Sequence, residues 1–241
     1  ALAELAATRS YAPRVLAVTG TNGKTTVCAL TGHLIEAAGR SVAVAGNISP
    51  AALTALIAAL DEDRLPDVWV LELSSFQLET THSLRPDAGA VLNLTQDHLD
   101  WHGDMRAYGA AKARLLAASS VAIVNRDDAQ VAAMVERLDA EHVRGFGREA
   151  PVATGDLGLD HSHGVAWLAE AAAEDFDAPP PKRKKGEVVT RPDGRVNRLM
   201  PVDALLIRGL HNALNVQAAL LLARILGLPW APLLRAVREY R

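Results

Sequence analysis

Cysteine is nearly absent from this chain. Cys28 is the only one in 241 residues, so no internal disulfide can form, and this usage fits a reducing compartment. Charge of one sign is not in excess either. The formal net charge is −3, which gives no global pull toward nucleic acid or an anionic membrane surface. Long uninterrupted apolar runs are also missing. The most apolar stretch, VQAALLLARILGLPWAPLL at 216–234, carries Gln217, Arg224 and two prolines. It is too broken for a membrane span and reads as a buried helix ending near Pro229. The opening ALAELAATRS lacks the basic end and cleavage site of a signal peptide. What the chain does have is apolar material: 49% of residues are hydrophobic, ample for one large domain or two small ones. Both ends fall in helix-like text, so the expectation is a piece of a longer protein.

Short apolar strands alternate with helical patterns. The reading is a strand at Val15–Thr19 and a helix at Lys24–Ala38, a strand at Val42–Ala45 and a helix at Ala51–Leu60, then strands at Val68–Leu73 and Ala88–Leu94. A helix at Met105–Ala118, a strand at Val121–Val124 and a helix at Ala129–Leu138 follow. Val27, Leu30, Leu34 and Ile35 keep helical spacing, and Gly39 sits where a helix C-terminus favours glycine. Alternation at this pitch predicts an α/β fold, a mostly parallel sheet with helices on both faces. Residues 150–208 lose helical periodicity. The runs GVAWLAE, GEVVTR and ALLIRG predict a small antiparallel flap, with DAPPPKRKKG as an exposed loop near 176–186. That basic run is read as a solvated loop rather than a nucleic-acid patch, since acids flank it and no aromatics interleave. Helix resumes at His211–Leu226.

The most informative stretch is VLAVTGTNGKTTVCAL at 15–30. A strand runs into Gly20, Thr21, Asn22, Gly23, Lys24, Thr25 and Thr26, and a helix begins. Glycines permit a tight path and close approach. The unpaired amides and dipole of a helix start favour an anion. Lys24 can reach outer phosphates, and the Thr25 hydroxyl is placed for Mg²⁺. The usual pattern has a glycine five residues before Gly23; here that position is Val18, so the loop is a shortened variant. Cys28 follows the turn and reads as core packing rather than as a nucleophile.

Glu72 ends the apolar run DVWVLE, with Ser74 and Ser75 beyond it. Ligands of open α/β sheets gather outside the carboxyl ends of strands, so Glu72 and Lys24 share a rim. There a carboxylate can hold Mg²⁺, or serve a helix start structurally. The next rim segment packs Asp97, His98, Asp100, His102 and Asp104 into eight residues, a polar cluster of the kind that marks a site. Two histidines in a loop give no supporting geometry for zinc. Lys112, among alanines on the following helix, reads as a solvated surface lysine.

The segments GTNGKTT at 20–26, GNI at 46–48, LELSSFQLE at 71–79, NLTQDHLDWHG at 93–103, AAK at 110–112 and GLHNALNVQAAL at 209–220 occur in the order found in the Mur ligase family, and the chain resembles that family. LELSSFQLE is most similar to the members that add D-glutamate. The resemblance implies an ATP-dependent ligase of cytoplasmic peptidoglycan precursor synthesis, joining D-glutamate to UDP-N-acetylmuramoyl-L-alanine through an acyl phosphate. It implies three domains, of which 14–241 is the central ATP-binding one. Residues 1–13 would be a stub of an N-terminal uridine-binding domain, and a C-terminal domain would follow. Lys24 and Thr25 would hold the ATP phosphates and Mg²⁺, of which two ions are implied. Glu72 and His98 match metal-binding positions, and Asn47 would face the γ-phosphate and the substrate carboxylate. Ser74 and His98 would also meet substrate. Asn212 and Asn215 match a segment that reads adenine, though asparagine at a helix start equally suits a cap. Lys112 matches a lysine carried as a carbamate, an anion able to ligate a second Mg²⁺. Around 170–200 the family pattern is not followed, and PPPKRKKGE resembles an insertion.

Overall fold

The computed structural model describes residues 4, 5, 8, 10–173 and 190–241. The expected exposed loop near 176–186 and most of GEVVTR lie outside the described residues.

Six strands form one sheet in the order β2-β3-β1-β4-β5-β6. They are β1 Arg14–Thr19, β2 Val42–Gly46, β3 Val68–Glu72, β4 Ala88–Val91, β5 Val121–Asn125 and β6 Val143–Phe146. Every pairing is parallel. The strands read as continuous apolar runs because both faces are covered. On β1 the alternation is explicit. Leu16 and Val18 enter one core with α1 Lys24–Ala37, α7 Leu210–Ile225 and α8 Trp230–Glu239. Val15 and Ala17 enter another, with Trp69, Leu71 and Leu56 of α2 Ala52–Asp61. Cys28 is fully buried in the first of these cores. On the second face α3 Ser75–Thr80, α4 Leu99–His102, α5 Met105–Ala118 and α6 Ala129–Ala133 follow the carboxyl ends of β3, β4 and β5. Among the described residues no helix is long and apolar enough to cross a membrane.

The expected flap is present as an antiparallel three-stranded sheet, β7 Leu157–Ser162, β8 Val165–Ala172 and β9 Arg195–Pro201. It is not a separate unit, since Leu157, Leu159, Leu168 and Met200 enter the same core as α1 and α7. Asp156, only 3% exposed, ties its base to the main sheet. Its carboxylate accepts from the Gly145 amide at 2.7 Å and from Arg191 Nη1 at 2.6 Å.

Two expected elements differ. ALLIRG is not a strand: it leaves a 3₁₀ turn at Val202–Ala204 as extended chain, with Leu205 buried and Leu206 exposed. Its alternation is one-sided burial without a ladder partner. The helix expected over Ala129–Leu138 ends at Ala133. Beyond it the amides of Val135, Glu136 and Leu138 each reach back three residues rather than four, which tightens the chain into turns.

Candidate active site

The loop Gly20–Gly23 joins β1 to α1 at the middle of the sheet rim. Gly23 has φ 84°, and a Cβ there would lie 2.7 Å from Asn215 Oδ1. Both the left-handed backbone and the contact exclude a side chain. The loop is laced to the segment leaving β4. The Thr21 and Asn22 amides donate to Asn93 Oδ1 at 3.0 and 2.8 Å, and Asn93 Nδ2 donates to the Asn22 carbonyl at 3.0 Å. The amides of Thr21 and Asn22 are thus already engaged within the protein. The first-turn amides of α1, Lys24 to Thr26, have no intrahelical carbonyl to bond and remain the anion-facing set.

Positive charge is concentrated beside those amides. Lys24 Nζ donates to the carbonyls of Gly20 and Thr21, both at 3.0 Å. Lys112 Nζ donates to the same Gly20 carbonyl at 3.0 Å and to Thr19 Oγ1 at 3.4 Å, and it lies 4.6 Å from the centre of the Tyr108 ring. Two amines thus converge on one carbonyl oxygen. Lys112 is not the solvated surface lysine that its alanine neighbours suggested. It is 2% exposed, because the alanines leave room for α5 to press that face onto β1 and β4. Burial first, and then the nearby Lys24 charge, push the Lys112 ammonium down from 10.5 to about 7.

This has a consequence for stability. Between about pH 7 and 10.5 the folded chain has shed the Lys112 proton while the unfolded chain keeps it. The unfolded state binds more protons, so stability rises with pH across that window, by at most roughly 1.4 kcal/mol per pH unit from this one group. Burial raises the Cys28 thiol, which acts oppositely at high pH, so the informative range is about pH 7 to 8.5. In carbon dioxide-free buffer, urea titrations should show Lys112→Met with a flatter stability profile than the wild-type chain over that range. Parallel profiles would contradict a displaced Lys112 proton.

A carboxylate stands opposite the lysines. Glu72 is 2% exposed. Its Oε2 accepts from Thr25 Oγ1 at 2.8 Å, and its Oε1 accepts from Asn47 Nδ2 at 3.2 Å. The Asn47 amide also bonds the Glu72 carbonyl at 2.8 Å. Gly46 makes this close approach possible, since a Cβ there would lie 2.2 Å from the Glu72 carbonyl oxygen. Thr25 Oγ1 and the Glu72 carboxylate therefore meet as hard oxygen groups at one point, the chemistry that suits Mg²⁺. Among the described residues no group of three or more His, Cys, Asp or Glu could hold a metal. A site with a single carboxylate fits Mg²⁺ in particular, which usually completes its shell with water and phosphate oxygens.

Beyond Gly23 a cleft of about 500 Å³ opens between the loop and α7, lined by Asn22, Thr26, Asn93, Asn125, Phe146, His211, Asn212 and Asn215 among others. Asn212 and Asn215 are not helix caps. The residue before α7 is Gly209, with no side-chain cap, and the two carboxamides bond locally, Asn215 Nδ2 to Asn212 Oδ1 at 3.2 Å and Asn212 Nδ2 to the Arg208 carbonyl at 2.8 Å. A cleft lined by carboxamides and Phe146 suits the edge and face of a purine.

The polar cluster after β4 does not converge. Asp104 caps α5 through the Ala107 amide at 2.7 Å. His102 Nε2 pairs with Ser75 Oγ at 2.9 Å, and its ring stacks on Phe76. His98, at φ 51°, sits half-exposed against Asp97 and Phe76. Its ring neighbours are Phe76 and Tyr108. Ser74, expected to meet substrate, caps α3 in a capping box with Gln77. Asn93, Asn125 and Tyr108 were not singled out in the sequence. A position at or just past the end of a buried strand was the signal available for the two asparagines; nothing local marked Tyr108.

Comparison with known proteins agrees with this geometry. A family model described as Mur ligase middle domain matches residues 18–223. The whole chain is 65% identical to a UDP-N-acetylmuramoylalanine–D-glutamate ligase of Bordetella parapertussis, covering 47% of that protein. It is 56% identical to one of Burkholderia pseudomallei, covering 49%. The structure is similar to that of a UDP-N-acetylmuramoyl-L-alanyl-D-glutamate–2,6-diaminopimelate ligase, with a TM-score of 0.67 at 25% identity over 98% of this chain and 48% of that one. The chain spans about half the length of these relatives. On the match over residues 18–223 and 65% identity along the whole chain, the chain belongs to the Mur ligase middle-domain family.

Proposed function

We propose that the chain is the nucleotide-binding and phosphoryl-transfer part of an ATP-dependent amide ligase, joining D-glutamate to UDP-N-acetylmuramoyl-L-alanine in the cytoplasm for peptidoglycan synthesis. The observation that carries the reading is the convergence of Lys24 and Lys112 on the Gly20 carbonyl, at the start of the helix whose Thr25 bonds the buried Glu72. The acceptor chemistry is taken from the relatives at 56% and 65% identity.

A free carboxylate is a poor electrophile, and phosphorylation turns its oxygen into a leaving group. The acceptor carboxylate attacks the γ-phosphorus of ATP, the bond to the ADP oxygen breaks, and an acyl phosphate forms. The amine then adds to the carbonyl, phosphate leaves, and the amine proton is lost. Nearly all the help needed is positioning and charge neutralisation. In this reading the base lies in the cleft beside Asn212 and Asn215. The phosphates lie on the Gly23–Thr26 amides. Lys24 leaves the Gly20 and Thr21 carbonyls to meet the outer phosphates. Mg²⁺, held by Thr25 and Glu72, would supply charge neutralisation there. Asn47 orients the carboxylate from the far side of Glu72, with His98 and Ser74 nearer the acceptor. A neutral Lys112 amine can add carbon dioxide, losing one proton to become a carbamate. Its burial beside Lys24 favours the neutral amine that this needs.

The test is turnover by a ligase of the relatives' length that carries this segment. Phosphate release should require both UDP-N-acetylmuramoyl-L-alanine and D-glutamate, with a new amide found by mass. Release without an amino acid, or a stronger response to another one, would replace this assignment.

A further inference from the structure

We propose that Asn93 is the positioning residue of the phosphate loop: its carboxamide holds Thr21 and Asn22 in the open arrangement that leaves the Gly23–Thr26 amides for an anion. The proposal rests on the nucleotide reading above and adds a residue to it. A loop of four residues between a strand and a helix has several orphan polar groups, and without partners those groups would turn inward or into one another. Asn93 satisfies three of them at once. Its Oδ1 accepts from Thr21 N and Asn22 N, and its Nδ2 donates to Asn22 O. Its own carbonyl also accepts from Thr21 N at 3.1 Å. A carboxamide carries an acceptor oxygen and a donor nitrogen side by side, which is what this pattern uses.

The strut behind Asn93 is itself fixed. Asn125, 8% exposed, donates Nδ2 to the Leu92 carbonyl at 3.0 Å, and the Leu94 amide donates to Asp128 Oδ2 at 2.7 Å. The residues on both sides of Asn93 are therefore anchored to the end of β5 and to the cap of α6. Two residues further on, the Thr95 amide donates to Thr21 Oγ1 at 3.1 Å, and Tyr108 Oη meets the same hydroxyl at 3.2 Å. The β4 exit thus grips the loop along its length, while the helix-start amides on its far side stay clear.

Two variants test this. Asn93→Ala removes the carboxamide. Asn93→Asp keeps its shape and Oδ1 but replaces the donor to Asn22 O with an acceptor, and adds negative charge beside the phosphates. Amide hydrogen exchange of the nucleotide-free chain should show Asn22 exchanging about tenfold faster or more in Asn93→Ala, Thr21 accelerated less because it keeps the Asn93 main-chain carbonyl, and core amides of β1 unchanged. ADP affinity by calorimetry should fall about tenfold or more in Asn93→Ala, the loss expected where two or three hydrogen bonds that order a binding loop are removed. In Asn93→Asp it should fall further and recover partly in salt. Unchanged exchange at Thr21 and Asn22, or faster exchange with ADP affinity intact, would overturn the proposal. So would a loss of protection spread evenly over β1, which would make Asn93 a general stability residue. If the wild-type chain fails to bind ADP at all, the nucleotide reading falls, whereas binding that is indifferent to both variants removes only the role of Asn93.

Discussion

Lys24→Ala is expected to lose ATP and ADP binding by about a hundredfold or more, while the chain stays folded. The size follows from what the side chain is asked to do. A hydrogen bond from an ammonium group to a phosphate is worth about 1.5–3 kcal/mol, or roughly ten- to a hundredfold in affinity, and Lys24 is placed to meet more than one oxygen. Stability should change little, because Lys24 is half-buried and its bonds are to two loop carbonyls. Removing its charge also has a local effect. The Lys24 charge is one of the two causes holding the Lys112 ammonium down, so in Lys24→Ala Lys112 should keep its proton to higher pH and form a carbamate less readily. Calorimetry with ADP, with a thermal melt as control, decides the first point. Unchanged affinity would count against the phosphate loop.

Lys112→Ala is expected to cost about a thousandfold in ligase turnover, on the scale of removing a preorganised electrostatic group from an active site. Short carboxylates such as acetate or propionate should restore part of it. The rescue separates two roles. A buried lysine that only filled space beside Tyr108 would leave a cavity and a less stable chain, and added acetate would do nothing specific. A lysine that serves as a carbamate leaves a carboxylate-sized gap at a point lined by Thr19 Oγ1 and the Gly20 carbonyl, where a small carboxylate can stand in. Near-normal activity without rescue would return Lys112 to a structural role.

The two lysines also show where the sequence was and was not readable. Lys24 was legible because a strand, glycines, a lysine and a helix must occur in that order for a loop to hold phosphate, and every part of the pattern is local. Lys112 was not, because its environment is made by β1, ninety residues earlier in the chain, pressing against α5. Alanine neighbours look like a solvated helix face until the helix is docked. The parallel sheet was legible because short apolar runs of strand length alternate with longer stretches of helical spacing; burial on both faces leaves the runs themselves without a period. β6, β7 and β9 were weak signals: Arg195–Pro201 is mostly exposed and polar, and its pairing with β8 comes from tertiary position. Glu72 was placed at the rim, but its contact with Asn47 depends on Gly46, whose missing Cβ lets β2 run close against β3. Resemblance to a family supplied Lys112, Asn47 and the paired asparagines of α7. Asn93 lay inside a quoted motif, and only its hydrogen bonds distinguished it.

The arrangement explains why one short rim can serve a reaction that brings a triphosphate to a carboxylate. Amides, two amines and one buried acid occupy three successive strand ends, β1, β3 and β4, and the base cleft lies on the α7 side of them. Such preorganised charge costs little to rearrange as the reaction proceeds.

The most direct measurement is a crystal structure with a non-hydrolysable ATP analogue and Mg²⁺. The account predicts the base in the cleft beside Asn212 and Asn215, phosphates on the Gly23–Thr26 amides, Lys24 released from the Gly20 and Thr21 carbonyls, and a metal bound at Thr25 and Glu72. An analogue bound elsewhere, with Lys24 still on those carbonyls and Glu72 still closed on Thr25, would contradict it.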